Sequence, residues 1–533
     1  MIARFHKILN HKSETIFGAA MLTSGLTLLG SFLGLLRNAF LASYFGASGY
    51  LDIYYASFRL PDLIYNIFIM GAVSVAFIPL FTEYWAKNKE EAWEFANAIV
   101  MCIGVFIGII AILVAIFARP FLSRLLIGFN AEQLNLAIIL TRIMMIQPIF
   151  MGISSVVSSV LKVFKLFLSC ALAPLLYNTG IIIGILVFSP RMGLKGLAYG
   201  VVLGSCLHLA IQIPALLTTG YKIKFDFLVL KEKMSSLKNM VFLMIPRSLS
   251  IIANQVFLLG VTIVATMLRE GSLSVFNFAN DIQNLPQTVF ALSFAVAAFP
   301  VLSKLKIEKK EKEFTKTSLE TLTQIFFFLI PIAIWFIVFR EPIIRLLLGY
   351  GKFDWYSTSQ TIKVFSILSF GMIFQGVNAL LLRIFFAQKN TLKPFIAAIV
   401  SYVLGFLLCY KFGLVFGVEG LALAVTLTYF LYFLILGILL KPGLNSELLK
   451  DFYISLLKIL FVSLISGLVA SLLFSFLGQY LSMEKVVNLV INAGIAFVVS
   501  LICFFSLSYK LKIKEITEVR NILVQKVLNR NKG

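Results

Sequence analysis

One short stretch of this chain sets residues able to handle a charged ligand into an apolar background: Asp52, Tyr55, Arg59, Asp62 and Asn66. At 100° per helical residue they fall within an arc of about 80°, so a helix carries all five on one face. Guanidinium groups grip phosphate or carboxylate oxygens in pairs, whereas carboxylates grip cations. The stripe suits a ligand of either class lining a cavity; alternatively, Asp52 and Asp62 pair with Arg59 or Arg37 to hold helices together. A second stripe follows at Asn277, Asn280, Asp281, Asn284 and Thr288. Ser24, Thr27, Ser31 and Asn38, with Arg37, line an earlier segment, and Arg247, Ser250 and Asn254 a later one.

Enzyme chemistry has little to stand on. The chain has no P-loop, HExxH or GxSxG, and its three histidines are His6, His11 and His208. The five cysteines, Cys102, Cys170, Cys206, Cys409 and Cys503, have no metal-ligand spacing. No cofactor or metal is expected. Without a nucleotide-binding segment, any transport would be driven by the membrane potential, a monovalent cation gradient or the substrate gradient.

The elements that must position these stripes follow from composition. Of 533 residues, 60% are apolar and 13% charged, against about 25% charged in soluble chains. Apolar runs long enough to cross a bilayer, about 20 residues each, succeed one another from residue 15 to residue 510. We expect about fourteen transmembrane helices. A charge at the bilayer centre costs about 2.5 to 3.5 kcal/mol, so the polar stripes must face protein or water.

The net charge of +22 reflects Lys and Arg gathered in alternate short loops, including Lys222 to Lys238 and Lys304 to Lys316, and does not imply nucleic acid. The bias places both termini in the cytoplasm. Residues 1–14 form a basic N-terminus, and the long span that follows lacks a small-residue cleavage pattern at the expected place, so it reads as an uncleaved first helix. From Leu511 the tail reads as a basic amphipathic helix on anionic lipid.

An internal repeat organises the spans. Gly193-Leu-Lys-Gly-Leu-Ala198 matches Gly417-Val-Glu-Gly-Leu-Ala422, Arg124-Leu-Leu-Ile-Gly-Phe129 matches Arg345-Leu-Leu-Leu-Gly-Tyr350, and Pro61 pairs with Pro286. All three offsets lie near about 224 residues. The expected fold is all-α and polytopic, with two parallel six-helix repeats related by a pseudo-two-fold along the membrane normal, plus two C-terminal helices. The expected divisions are an N-lobe at 15–220, a basic linker at 221–236, a C-lobe at 237–440, two further helices at 441–510 and the tail at 511–533. Such paired lobes suit alternating access around a central path.

Leu33-Gly-Leu-Leu-Arg-Asn-Ala39, Tyr44-Phe-Gly-Ala47, Asp52, Phe58-Arg-Leu-Pro-Asp-Leu63, Gly71-Ala72 and Ala76-Phe-Ile-Pro79 together resemble the N-terminal signature of the MurJ (MviN) family. The likeness continues through Tyr350-Gly-Lys-Phe353 and Arg383-Ile-Phe-Phe-Ala-Gln-Lys-Asn-Thr-Leu-Lys-Pro394. The family consists of lipid II flippases of bacterial peptidoglycan synthesis. The resemblance implies an inner-membrane protein whose partners are membrane lipids, a lipid-linked peptidoglycan precursor and cell-wall synthesis proteins. It also implies an arginine-lined cavity for the diphosphate and sugars, and a groove formed with the last two helices for the polyprenyl tail. Arg37 matches a functional arginine of the family, Asp52 a conserved aspartate, and Arg59 a basic position.

The chain departs where Ser31 and Tyr65 replace common arginines, Asn38 a common aspartate, and Asn280-Asp281 the usual Asp-Arg pair. Arg247 could restore one positive charge. The expected substrate-binding set is Arg37, Arg59, Asp52, Arg247, Asn38, Ser31, Asp62, Asn280, Asp281 and Asn284. Transport of another polyprenyl-linked saccharide, cation-coupled drug export, or a non-transporting envelope scaffold are the competing readings.

Overall fold

The computed structural model describes residues 16–67, 73–222, 224, 234–440, 446–480 and 485–516, with side chains over 25–67, 77–222, 224, 249–440, 447–480 and 485–516. The N-terminus 1–14, most of the basic linker and the tail beyond 516 lie outside these residues, as do the side chains of Ser24 and Arg247.

All the regular structure described is helical. In order, the longer helices are α1 (Ile16–Phe45), α2 (Gly49–Tyr65), α3 (Val73–Lys87), α4 (Lys89–Ile116), α5 (Ala118–Leu125), α6 (Ala131–Met144), α7 (Gln147–Val163), α8 (Phe167–Ile183) and α9 (Leu194–Ala210). They continue as α10 (Met234–Thr266), α11 (Ser272–Pro286), α12 (Ser293–Ile307), α13 (Glu311–Val338), α14 (Arg340–Leu348), α15 (Trp355–Ala387), α16 (Leu392–Leu440), α17 (Ser446–Gly478) and α18 (Val486–Lys510).

Twelve stretches among the described residues are long and apolar enough to cross a membrane. One, α16, turns at Gly417 (φ 63°, ψ −144°) and makes two spans. The twelve, with α16 counted as two, make thirteen spans among the described residues, against about fourteen expected; residues 68–72, between α2 and α3, lie outside the described residues.

The duplication is visible in backbone detail. Gly193 (φ 57°, ψ −138°) and Gly417 adopt the same left-handed conformation at repeat-equivalent positions. A Cβ on Gly196 would lie 2.6 Å from the Phe188 carbonyl oxygen, and one on Gly420 would lie 2.0 Å from that of Phe412. Both motifs fold the chain tightly back on the preceding span.

Packing divides the chain into unit 1, Met1–Asn277 with Tyr350–Ser357, and unit 2, Phe278–Gly349 with Thr358–Gly533. In unit 1, α10 packs on α2 and α3, and the amide of Lys352 donates to the Ser43 carbonyl (2.8 Å).

Unit 1 is held by a glycine seam, because small residues let helix backbones touch where no hydrophobic force separates protein from lipid. A Cβ on Gly180 would sit 2.3 Å from the Cα of Gly204, and one on Gly184 would sit 2.6 Å from that of Gly200. In unit 2, α13 packs on α17 and α17 on α18. The Trp335 indole donates to Ser466 Oγ (3.2 Å), which donates to the Ser500 carbonyl (2.8 Å).

Candidate functional site

In unit 1, Arg37 on α1 meets α8. Its Nη1 donates to Asn178 Oδ1 (3.2 Å), while Nε and Nη2 both donate to Asn38 Oδ1 (3.2 and 3.0 Å). Asn178 is itself fixed, its Nδ2 donating to the carbonyls of Pro174 (3.2 Å) and Gly30 (3.4 Å). Two neutral amides thus orient the guanidinium. Tyr177, next to Asn178, lies within electrostatic reach of Arg37, Asp62, Tyr54 and Tyr65, so α1, α2 and α8 converge there.

Asn38 is 1% exposed; it positions Arg37 and does not line an open wall, contrary to expectation. Ser31 is half-buried on α1, about two turns before Asn38. Tyr177 and Asn178 are uncharged and sit in an apolar span, so sequence alone does not single them out; the isolated amide of Asn178 inside that span is the one signal it offers.

On α2, Arg59 Nη1 is 3.6 Å from Asp62 Oδ2, with both side chains partly open. Asn66 Nδ2 donates to Asp62 Oδ1 (3.0 Å). The predicted stripe therefore holds together over Arg59, Asp62 and Asn66.

Asp52 does something else. Only 4% exposed, it accepts the amide of Gly271 at Oδ2 (2.7 Å), and the amide (2.7 Å) and hydroxyl (2.6 Å) of Ser274 at Oδ1. A carboxylate over unpaired N–H groups at a helix start satisfies donors and complements the helix dipole. Asp52 is thus a cap for α11, in place of the cavity-wall or arginine-pairing role that sequence suggested.

On α10, the oxygens Ser250 Oγ, Asn254 Oδ1 and Gln255 Oε1 are buried without a partner among the described residues. Such groups favour a polar ligand in an otherwise dry setting.

In unit 2, Asn280, Asp281 and Asn284 are half-buried along α11. Gln283, 2% exposed, ties the two asparagines together: its Nε2 donates to Asn280 Oδ1 (3.1 Å), Asn284 Oδ1 (2.8 Å) and Gln375 Oε1 (3.4 Å). Unit 2 also holds an apolar groove of ≈ 680 Å³ between α13, α14 and α18, walled by Phe290, Phe328, Trp335, Phe339, Leu346, Val490, Phe497 and Phe504. No polar surface faces it, which matches an aliphatic guest. No cluster of metal-ligating side chains occurs among the described residues.

The family model described as "Lipid II flippase MurJ" matches residues 41–491. A "Lipid II flippase MurJ" of Burkholderia cenocepacia is 25% identical over 416 residues, covering 77% of this chain and 81% of the relative. A "Probable lipid II flippase MurJ" of Borreliella burgdorferi is 26% identical over 438 residues, covering 81% and 85%. The solved structure titled "Lipid II flippase MurJ, inward closed conformation" superposes with a TM-score of 0.76 at 28% identity, covering 92% of this chain and 99% of that one. With the family model spanning most of its length and the solved relative aligned over nearly all of it, this chain belongs to the MurJ family.

Proposed function

We propose that this protein is a lipid II flippase, moving undecaprenyl-diphosphate-linked peptidoglycan precursor from the cytoplasmic to the outer leaflet by alternating access. The observation that carries the reading is Arg37, a membrane-embedded guanidinium oriented by the amides of Asn38 and Asn178. Arg37 and Arg59 grip diphosphate oxygens, since a planar guanidinium presents paired donors at phosphate spacing. Polar groups of α10 and α11 meet the sugars and peptide, and the groove on α13, α14 and α18 takes the polyprenyl tail.

The chain makes and breaks no covalent bond in this reading. It lies in the bacterial inner membrane with both termini in the cytoplasm, beside the cell-wall synthesis proteins that supply and consume the lipid. The membrane potential supplies a drive: a negative charge moving outward from an inside-negative cell moves with the electrical force, which releases about 2.3 kcal/mol per charge per 100 mV. A monovalent cation gradient is the other coupling source.

The test is rescue of a bacterium depleted of its own lipid II flippase, with wild type and Arg37→Ala matched for membrane level. Rescue by wild type alone supports both the cargo and the arginine. Failure of well-expressed wild type would overturn the cargo assignment.

A further inference from the structure

The internal repeat carries one wall of the unit 2 groove a second time, in unit 1. Helices α4 and α13 are both 28 residues long and start 222 residues apart. Each stops at a phenylalanine in nearly the same conformation, Phe117 (φ −89°, ψ 14°) and Phe339 (φ −96°, ψ 20°), and α5 and α14 begin at the next residue. Ile109, Leu113, Phe117, Pro120 and Phe121 therefore hold the positions of Pro331, Trp335, Phe339, Pro342 and Ile343, all five of which line the groove.

The two walls differ in their cover. In unit 2 the Phe497 ring of α18 lies 5.3 Å from Trp335 and 6.1 Å from Phe339, and both wall aromatics are buried. In unit 1, α4 packs on α3 and α7 and α5 packs on α6, while Ile109, Leu113, Phe117, Pro120 and Phe121 are all exposed. Val105, Ile112 and Ile116 extend the same bare strip. From Val105 to Phe117 it runs about 18 Å at helical rise, close to the depth of one leaflet, about 15 Å.

Charge at the end of the strip sets it apart from an ordinary lipid-facing span. On α14, Arg345 is paired with Glu341 (3.1 Å). On α5, Arg119 and Arg124 are exposed and no acidic residue accompanies them. Arg119 is braced by a neutral amide, its Nη2 donating to Asn135 Oδ1 (2.6 Å). Arg142 reaches from α6 to the end of α4, its Nε donating to the Ala115 carbonyl (2.8 Å). None of the three guanidiniums has an ion pair among the described residues. An acyl phospholipid brings one phosphodiester charge to such a cluster, whereas a diphosphate brings enough oxygens to accept paired donors from several guanidiniums.

We infer that the α4–α5 face is a second lipid seat, taking a polyprenyl diphosphate with its chain along Ile109, Leu113 and Phe117 and its phosphates on Arg119, Arg124 and Arg142. In the proposed orientation α4 ends on the outer side, where basic residues are the exception and a flipped lipid emerges. The choice of lipid rests on the proposed function.

The experiment is photolabelling of the full-length protein in nanodiscs with a polyprenyl diphosphate carrying a benzophenone in its chain, followed by mass-spectrometric mapping. Saturable labels should appear within residues 105–121 as well as at residues 490–505 of the unit 2 groove. Excess undecaprenyl diphosphate should remove both labels, and the same excess of phosphatidylglycerol should remove neither. Arg119→Gln/Arg124→Gln should cut the label on 105–121 about tenfold, the worth of one charge-assisted hydrogen bond, and leave the groove label in place. An undiminished label on 105–121 in that variant, or loss of the groove label with it, would overturn the arginines as ligands. Labels at the groove alone would overturn the inference and leave the flippase reading standing, whereas labels at neither place would count against both. Displacement from 105–121 by phosphatidylglycerol would assign the face to ordinary phospholipid and overturn the polyprenyl assignment.

Discussion

The carboxylate of Asp52 accepts both the amide and the hydroxyl of Ser274, at 2.7 and 2.6 Å, and so ties α2 to the start of α11 across more than two hundred residues of chain. Removing it leaves buried donors at a helix start. Asp52→Ala should lower stability by about 1 to 2 kcal/mol, read as a drop in the melting temperature of detergent-purified protein. Ser274→Ala should cost less, because the amide bond to Asp52 survives. A melting temperature for Asp52→Ala equal to wild type would refute the cap.

Arg37 is predicted to act on the ligand and not on the fold. Arg37→Ala should keep its membrane level while flipping of a lipid-linked diphosphate falls at least tenfold, given about 1.5 to 3 kcal/mol for a hydrogen bond to a charged group. Asn178→Ala should give an intermediate loss, since Asn38 still holds the guanidinium from one side. Full transport by Arg37→Ala would remove it from the site.

The unit 2 groove offers a clean filling experiment. Gly494 lines it, and a Cβ there would meet nothing within 4 Å. Gly494→Phe should fold with an unchanged melting temperature and should slow transport of long-chain polyprenyl substrates more than short-chain analogues. Equal transport of both chain lengths would separate the groove from the tail.

The glycine seam makes the opposite prediction. Gly200→Leu has no space against the Cα of Gly184, and overpacking of that kind costs about 1 to 3 kcal/mol or more. Membrane level and melting temperature should both fall, with no selective effect on substrate.

Asp354 tests the start of α15. Its Oδ1 accepts the Ser357 amide at 2.8 Å. The Ser357 bonds, through hydroxyl and then amide, hold its carboxyl below the ordinary 3.8, with Arg269 adding to the effect. A lowered folded-state value contributes stability that is present above about 3.8 and is lost as the pH falls through the folded-state value. Asp354→Asn should therefore show a shallower fall in melting temperature than wild type as the pH drops from about 5 to about 3. Identical pH profiles would show that the cap contributes nothing.

Much of this was legible in the sequence because the bilayer is a severe solvent. Apolar runs of fixed minimum length, with charges confined to their ends, can only become helices that cross it, since every backbone group must be bonded within the segment. The duplication was legible for a related reason: Gly193 and Gly417 each occupy a left-handed turn that other residues rarely adopt, so the motif survives in both halves. Helical periodicity alone grouped Arg59, Asp62 and Asn66, because their contacts are three and four residues apart.

What lies beyond one helix face was decided by tertiary structure. Nothing near Asp52 in the chain announces Gly271 and Ser274 as its partners, so its polarity read as a cavity wall until α11 was seen to begin beneath it. Asn38 looked like a binding group and is a buried brace, while Tyr177, Asn178 and Gln283 looked like ordinary span residues and sit at the polar centres of their units. The sequence determines which faces are polar, because that depends on a 3.6-residue period. Which polar groups stay available for a ligand depends on which neighbour satisfies them first, and only the packed helices decide that.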